Sequence, residues 1–292
     1  MEAKRINYTK KYNLISKIWD SSMIGKGTLS RFLSKVLIPK PTHPVISKTV
    51  YGFDMLINPA VDNGVESSLY YFGTYEKGTL NFIKTHLKEG QVFFDIGANI
   101  GLMSIFTSYS VGNTGKVYAF EANPETVKLL NYNIELNSIS NIIVVDKAIG
   151  NNEGKIQIYN NGAGNRGGAS LIKPEQETQS FEVDLIKLDN IELYATMDIG
   201  MIKIDVEGFE MDVLKGIEKI LSTSNPPKLI IECSADRNNN YDSVYEIYNF
   251  IKKVNSYKIY KLNKGKERFG ELVEINSTAD LPKHDNIFCI KG

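Results

Sequence analysis

From residue 45 onward, short β-branched runs alternate with stretches of helical periodicity. Val92 to Asp95, Val117 to Glu121, Ile142 to Asp146, Met201 to Val206 and Leu229 to Cys233 are apolar runs of strand length. Leu102–Tyr109, Pro124–Leu136, Glu210–Leu221 and Tyr241–Val254 fill the intervals as helices, the second opening on a proline. This alternation predicts an α/β fold with a doubly wound, mostly parallel sheet covered by helices on both faces. The pattern breaks at residues 160–168, whose NNGAGNRGG run suits a mobile loop or hairpin turn. Upstream, Leu14, Ile15, Ile18 and Trp19 form one helical stripe. Leu29, Phe32, Leu33, Val36 and Leu37 form another, opposite Arg31, Ser34 and Lys35. Gly25 and Gly27 separate the stripes, and Pro39, Pro41 and Pro44 end the second. The division expected is an amphipathic helical extension and linker over residues 1–44, followed by one domain over 45–292.

Charge changes this picture in one place. The chain is neutral overall, yet residues 1–48 hold ten Lys and Arg against Glu2 and Asp20, or +8, and the rest of the chain carries −8. A basic, amphipathic leader predicts a peripheral contact with a membrane or a protein partner through residues 1–44. Cys233 and Cys289 each lie in an apolar run and read as buried free thiols, which favours a reducing, cytoplasmic compartment, at most on the inner face of a membrane. No stretch reaches the roughly 18 apolar residues of a membrane-spanning helix.

The chemistry begins at VFFDIGANIG, residues 92–101. Asp95 ends an apolar strand, and Gly97 and Gly101 let the backbone turn into a helix close to a ligand, at the place where open α/β sheets bind one. A dinucleotide fingerprint needs GxGxxG, but Asn99 holds the middle position and the spacing is GxxxG, so NAD is disfavoured. Glu121 ends the next strand in VYAFEANP, where a carboxylate can accept both hydroxyls of a ribose from an adenosyl cofactor or from NAD. Asp146 ends the third strand, where it can accept a bond from an adenine amino group. Acids at three successive strand ends predict a cofactor pocket opening at Asp95.

VFFDIGANIG, VYAFEANP and, further on, IKIDVEGFE together resemble the FkbM family of class I methyltransferases over about Tyr70 to Cys233, including YYFGTYEKGTL at residues 70–80. The resemblance implies a Rossmann-like class I methyltransferase fold and S-adenosylmethionine as cofactor, lined by Asp95, Gly97, Asn99, Gly101 and Glu121. It also implies O-methylation of a hydroxyl on a sugar, glycan or related natural product. The basic leader and the Asn/Gly-rich segment lie outside it. Tyr75 and Glu76 are candidates to approach the methionyl end of such a cofactor, and read equally well as an ordinary helix-entry turn.

Methyl transfer from a sulfonium requires an acceptor oxygen held in line and relieved of its proton. Lys203, Asp205, Glu207 and Glu210, in IKIDVEGFE, are the candidates, and strand alternation puts the first three on one side. As helix-capping acids Glu207 and Glu210 have a structural alternative, and Lys203 has one as the ion-pair partner of an acid. Asp205, Glu207 and Glu210 also offer the oxygen ligands a hard divalent cation takes, but no metal is assigned. Of the histidines, His43 and His86 do not resemble bases, and His284 is a weaker candidate. Nucleic-acid methylation is an alternative that the acidic body disfavours. A binding protein that keeps the fold without chemistry is another, disfavoured by intact Asp95, Glu121 and Asp205.

Overall fold

The computed structural model describes residues 3–21, 25–159, 179–234 and 242–292. The Asn/Gly-rich run and Tyr241 lie outside the described residues. The chain opens with strand β1 (Lys4–Ile6), helices α1 (Thr9–Asp20) and α2 (Lys26–Leu37), then β2 (Val45–Lys48) and β3 (Asp54–Ile57). β1 pairs in parallel with β2, and β2 antiparallel with β3, so the leader contributes a strand beside its two helices. Helices α3 (Val65–Phe72) and α4 (Lys77–His86) lead into the main sheet.

That sheet begins with β4 (Val92–Ile96), α5 (Leu102–Val111), β5 (Lys116–Phe120), α6 (Pro124–Leu136) and β6 (Ile142–Val145). An excursion of β7 (Ala148–Ile149), β8 (Gly154–Tyr159) and β9 (Ser180–Ile186) forms a small sheet of its own, followed by the short α7 (Glu192–Ala195). The chain returns through β10 (Ile199–Ile204), α8 (Glu210–Gly216), α9 (Glu218–Leu221), β11 (Lys228–Ser234), α10 (Asp242–Val254), β12 (Tyr257–Leu262), β13 (Leu272–Glu274) and β14 (His284–Lys291). The eight strands lie in the order β13-β12-β14-β11-β10-β4-β5-β6. β11 through β6 are parallel, and β14, β12 and β13 are antiparallel additions. The fold is α/β, doubly wound and mostly parallel. Strand order reverses between β4 and β10, so the carboxyl ends of these two strands border the crevice in which such sheets bind ligands.

The local reasons are visible in the sequence. α6 starts at Pro124 because Asn123 caps it, its side chain accepting from the Glu125 N–H at 3.0 Å. β4 alternates across the sheet: Phe93 packs into the core on one face, and Phe94 joins Tyr118, Phe120 and Tyr194 on the other. Cys233 and Cys289 are buried and free. Among the described residues, no helix is long and apolar enough to cross a membrane.

Candidate functional site

The turn leaving β4 is built by close approach. Gly97 has φ 82°, and a Cβ there would lie 1.8 Å from the Asp205 carbonyl oxygen, so the turn rests directly on the chain leaving β10. Asn99 also sits in the left-handed region, at φ 51°. Its N–H donates to Glu121 Oε2 at 2.8 Å, while the Asn123 N–H donates to Glu121 Oε1 at 2.9 Å. Glu121 is thereby fixed at the end of β5. Burial raises its pKa, against those two bonds. Gly101 (φ 93°) immediately precedes α5 and lies against the Leu130 side chain. Asp95 is wholly buried; its Oδ2 accepts from Ser104 Oγ at 2.6 Å, and burial raises its pKa while Lys203 opposes the shift.

At the switch point lies a cavity of about 960 Å³. Gly97, Asn99, Glu121, Tyr75, Glu76, Lys203, Asp205 and Glu207 all line it. Asp95, Gly101, Asp146 and Glu210 are not on its wall. Asp95 and Gly101 stand behind the turn they shape. Asp146, which directly follows β6, is exposed, and the cavity is bordered instead by Lys147 to Ile149. Glu210 is buried and folds back as a cap, accepting from Gly208 N–H at 3.0 Å and Val206 N–H at 3.3 Å. Glu207 is exposed at φ 52°: β10 ends at Ile204, so strand alternation no longer governs it.

One end of the cavity holds a charged cluster. Lys203 Nζ lies 2.8 Å from Asp205 Oδ2. Burial favours losing the Lys203 proton, but Asp205, Asp95 and Glu76 outweigh it and hold its pKa above the usual range. Burial likewise pushes Asp205 up, yet Lys203 and Lys266 prevail and keep it at about 2. Glu232, at the end of β11, is pushed up to about 8 by burial and by the Asp205 charge, with Lys266 opposing. Lys266 Nζ bridges Glu76 at 2.8 Å and Glu232 at 2.5 Å. Glu76 is buried at φ 45° and also accepts from Asn286 Nδ2 at 2.9 Å. Ligand oxygens of Glu76, Asp205 and Glu232 lie within 4.8 Å of one another, but the Lys266 ammonium already sits on two of these acids.

Sequence reasoning missed Glu232, Lys266 and Asn123. Glu232 carries the signal used for Asp95, an acid closing an apolar run. Lys266 comes from the loop after β12 and has no local signature. His284 lines the cavity with its Nδ1 2.7 Å from Ser234 Oγ, whereas His86 stacks on Phe82 away from it.

Residues 95–259, over half the chain, match the family model of the methyltransferase FkbM domain. A probable cobalt-precorrin-6B C(15)-methyltransferase of Sulfolobus acidocaldarius is 36% identical over 63 residues, 22% of this chain and 33% of that protein. A hexuronic acid methyltransferase of Haloferax volcanii is 25% identical over 157 residues, 51% of this chain and 59% of that protein. The chain spans between 33% and 63% of the length of the curated relatives it matches. Among solved structures, an S-adenosylmethionine-dependent O-methyltransferase of Thermotoga maritima aligns with a TM-score of 0.43 at 15% identity, covering 89% of this chain and 81% of that one.

Proposed function

The chain belongs to the FkbM methyltransferase family, and we propose that it is an S-adenosylmethionine-dependent methyltransferase whose acceptor atom is a hydroxyl oxygen of a sugar or related natural product. The observation that carries this reading is one cavity bounded by the Gly97–Gly101 turn and Glu121 on one side and by Lys203, Asp205 and Glu232 on the other. The residues present fit the cofactor. Glu121 is pinned by two N–H donors and keeps free lone pairs for a pair of ribose hydroxyls. Seven acids and five Lys and Arg line the cavity, so it lacks the excess of positive charge that would favour a pyrophosphate. The cofactor supplies a methyl group already activated on sulfur. What the chain adds is position and proton removal: Tyr75 and Glu76 border the space, Lys203 holds Asp205, and Asp205 accepts the acceptor hydroxyl's proton as the new bond forms. The sugar reading draws on the hexuronic acid methyltransferase among the relatives.

Calorimetry tests the cofactor. S-adenosylhomocysteine is expected to bind and NAD to give no heat. Glu121→Ala is expected to weaken S-adenosylhomocysteine by about 1.5–3 kcal/mol, through loss of charged hydrogen bonds to the ribose and of the two N–H groups the carboxylate anchors. Unchanged affinity in that variant places the ribose elsewhere.

Since Lys266 supplies the positive charge between Glu76 and Glu232, methyl transfer is expected to be indifferent to a chelator. Activity lost to the chelator and restored by magnesium or calcium shows instead that a cation displaces Lys266.

A further inference from the structure

We propose that α2 docks this protein on an anionic membrane surface, with the mouth of the cavity beside the contact. The helix is apolar on two sides, with Leu33 and Leu37 packed against the core and three further apolar residues facing out. Its inward face buries Ser30 and Ser34, small residues that let it approach α1 closely, Ser30 Oγ lying 3.5 Å from the Ile15 carbonyl. Its outward face shows Phe32 and Val36, each 62% exposed, and Leu29, 38% exposed. Positions 29, 32 and 36 fall on one side of a helix, so these side chains form an exposed stripe that none of the described residues covers. A surface helix that presents phenylalanine and valine to the outside, beyond the leucines it packs on the core, is built for an apolar neighbour.

Charge selects that neighbour. From residue 21 to residue 53 the sequence contains no Asp or Glu but holds Lys26, Arg31, Lys35, Lys40 and Lys48. Arg31 and Lys35 are exposed on α2 itself, and Lys40 just beyond it. Apolar side chains flanked by cations match the interface of an anionic bilayer, where the former sink among the acyl chains and the latter meet headgroups. A second copy of this chain offers no such complement, because it would bring the same cations face to face.

The contact adjoins the site. Trp19, at the end of α1, lines the cavity; Arg31 Cζ lies 5.8 Å from its ring, and Phe72 stands 5.8 Å away on centroids. A protein lying on its α2 face therefore holds the cavity near the bilayer, in reach of a saccharide carried on a lipid. That consequence, unlike the docking itself, rests on the function proposed above.

Sedimentation of the full chain with sucrose-loaded vesicles tests the docking without any activity measurement. Binding is expected to vesicles of phosphatidylglycerol and phosphatidylcholine in equal parts, little to phosphatidylcholine alone, and less as salt rises. Phe32→Ser with Val36→Ser is expected to lower partitioning about tenfold or more. Lys35→Gln with Lys40→Gln is expected to lower it by about fivefold per charge removed. These side chains are exposed, so both variants should melt and bind S-adenosylhomocysteine as the parent does, which keeps failure here distinct from failure of the cofactor reading. Absence of binding to the mixed vesicles, or equal binding by the Phe32/Val36 variant, overturns the proposal. So does light scattering that shows a dimer which the Phe32/Val36 variant dissociates, since a second copy then covers the face.

Discussion

Asp205→Asn is expected to lower methyl-transfer turnover by about 10²-fold or more while leaving S-adenosylhomocysteine affinity nearly unchanged. Asn keeps the shape and removes the charge. The Lys203 ammonium, 2.8 Å from the carboxylate in the parent, still has Asp95 and Glu76 nearby, so the fold should survive the loss of one partner. A thermal melt checks that point before kinetics are read. Asp205 also does not stand alone. With Asp205 held at about 2 and Glu232 pushed up to about 8, the two acids carry one proton between them through the neutral range. Losing that proton leaves two carboxylates and a stronger base. Turnover is therefore expected to climb as pH rises toward about 8 and to level off above it, and Glu232→Gln should flatten this rise. A parent-like rate in Asp205→Asn moves the proton acceptor to Glu232, Glu207 or His284, which also line the cavity, and leaves Asp205 as the structural partner of Lys203.

What the sequence made legible was whatever local chemistry controls. α6 runs from Pro124 to Leu136 as its periodicity predicts, because its cap and its proline are written in adjacent residues. The run Glu210 to Leu221 looks like one helix, yet it divides into α8 and α9 at Ile217. The reason lies elsewhere in the chain: Gly216 touches the Gly150 backbone, where a Cβ would come within 2.2 Å of the carbonyl oxygen. A strand-end acid is not aimed at the cavity by its position alone. Glu121 and Asp146 each follow a strand directly, yet Glu121 is held by the Asn99 and Asn123 N–H groups on the cavity wall while Asp146 is exposed. The turn at Gly97 was legible as a tight one, but not that it rests on Asp205, a contact between residues more than a hundred positions apart. Lys266 was invisible for the same reason, being brought to Glu76 and Glu232 by the sheet and not by any motif.

A chain beginning at Val45 is expected to lose much of its stability, melting about 10 °C or more below the parent or without a cooperative transition. The apolar stripes and prolines of residues 1–44 suggest a separable leader, but the structure uses one side of it as core. β1 pairs with β2, Lys4 opposite Val45 and Ile6 opposite Ser47. Tyr12, Ile15 and Ile38 are fully buried in the same cluster as Met55, Leu69 and Phe93. The Tyr12 hydroxyl donates to the Tyr70 carbonyl at 2.9 Å and lies 3.1 Å from Ser47 Oγ, while its ring covers Gly73 so closely that a Cβ there would come within 2.3 Å. Emptying one buried aromatic site costs about 3–5 kcal/mol and one buried isoleucine about 2–5 kcal/mol. Removing three such side chains together is comparable with the whole stability of a domain, about 5–15 kcal/mol. Single substitutions within the leader separate its two roles. Ile15→Ala should cost about 2–5 kcal/mol in denaturant unfolding, whereas Phe32→Ala, on the exposed stripe, should stay within about 0.5 kcal/mol of the parent. If the chain from Val45 melts with the parent, residues 1–44 form a detachable unit, and the burial of Tyr12, Ile15 and Ile38 contributes little to the fold.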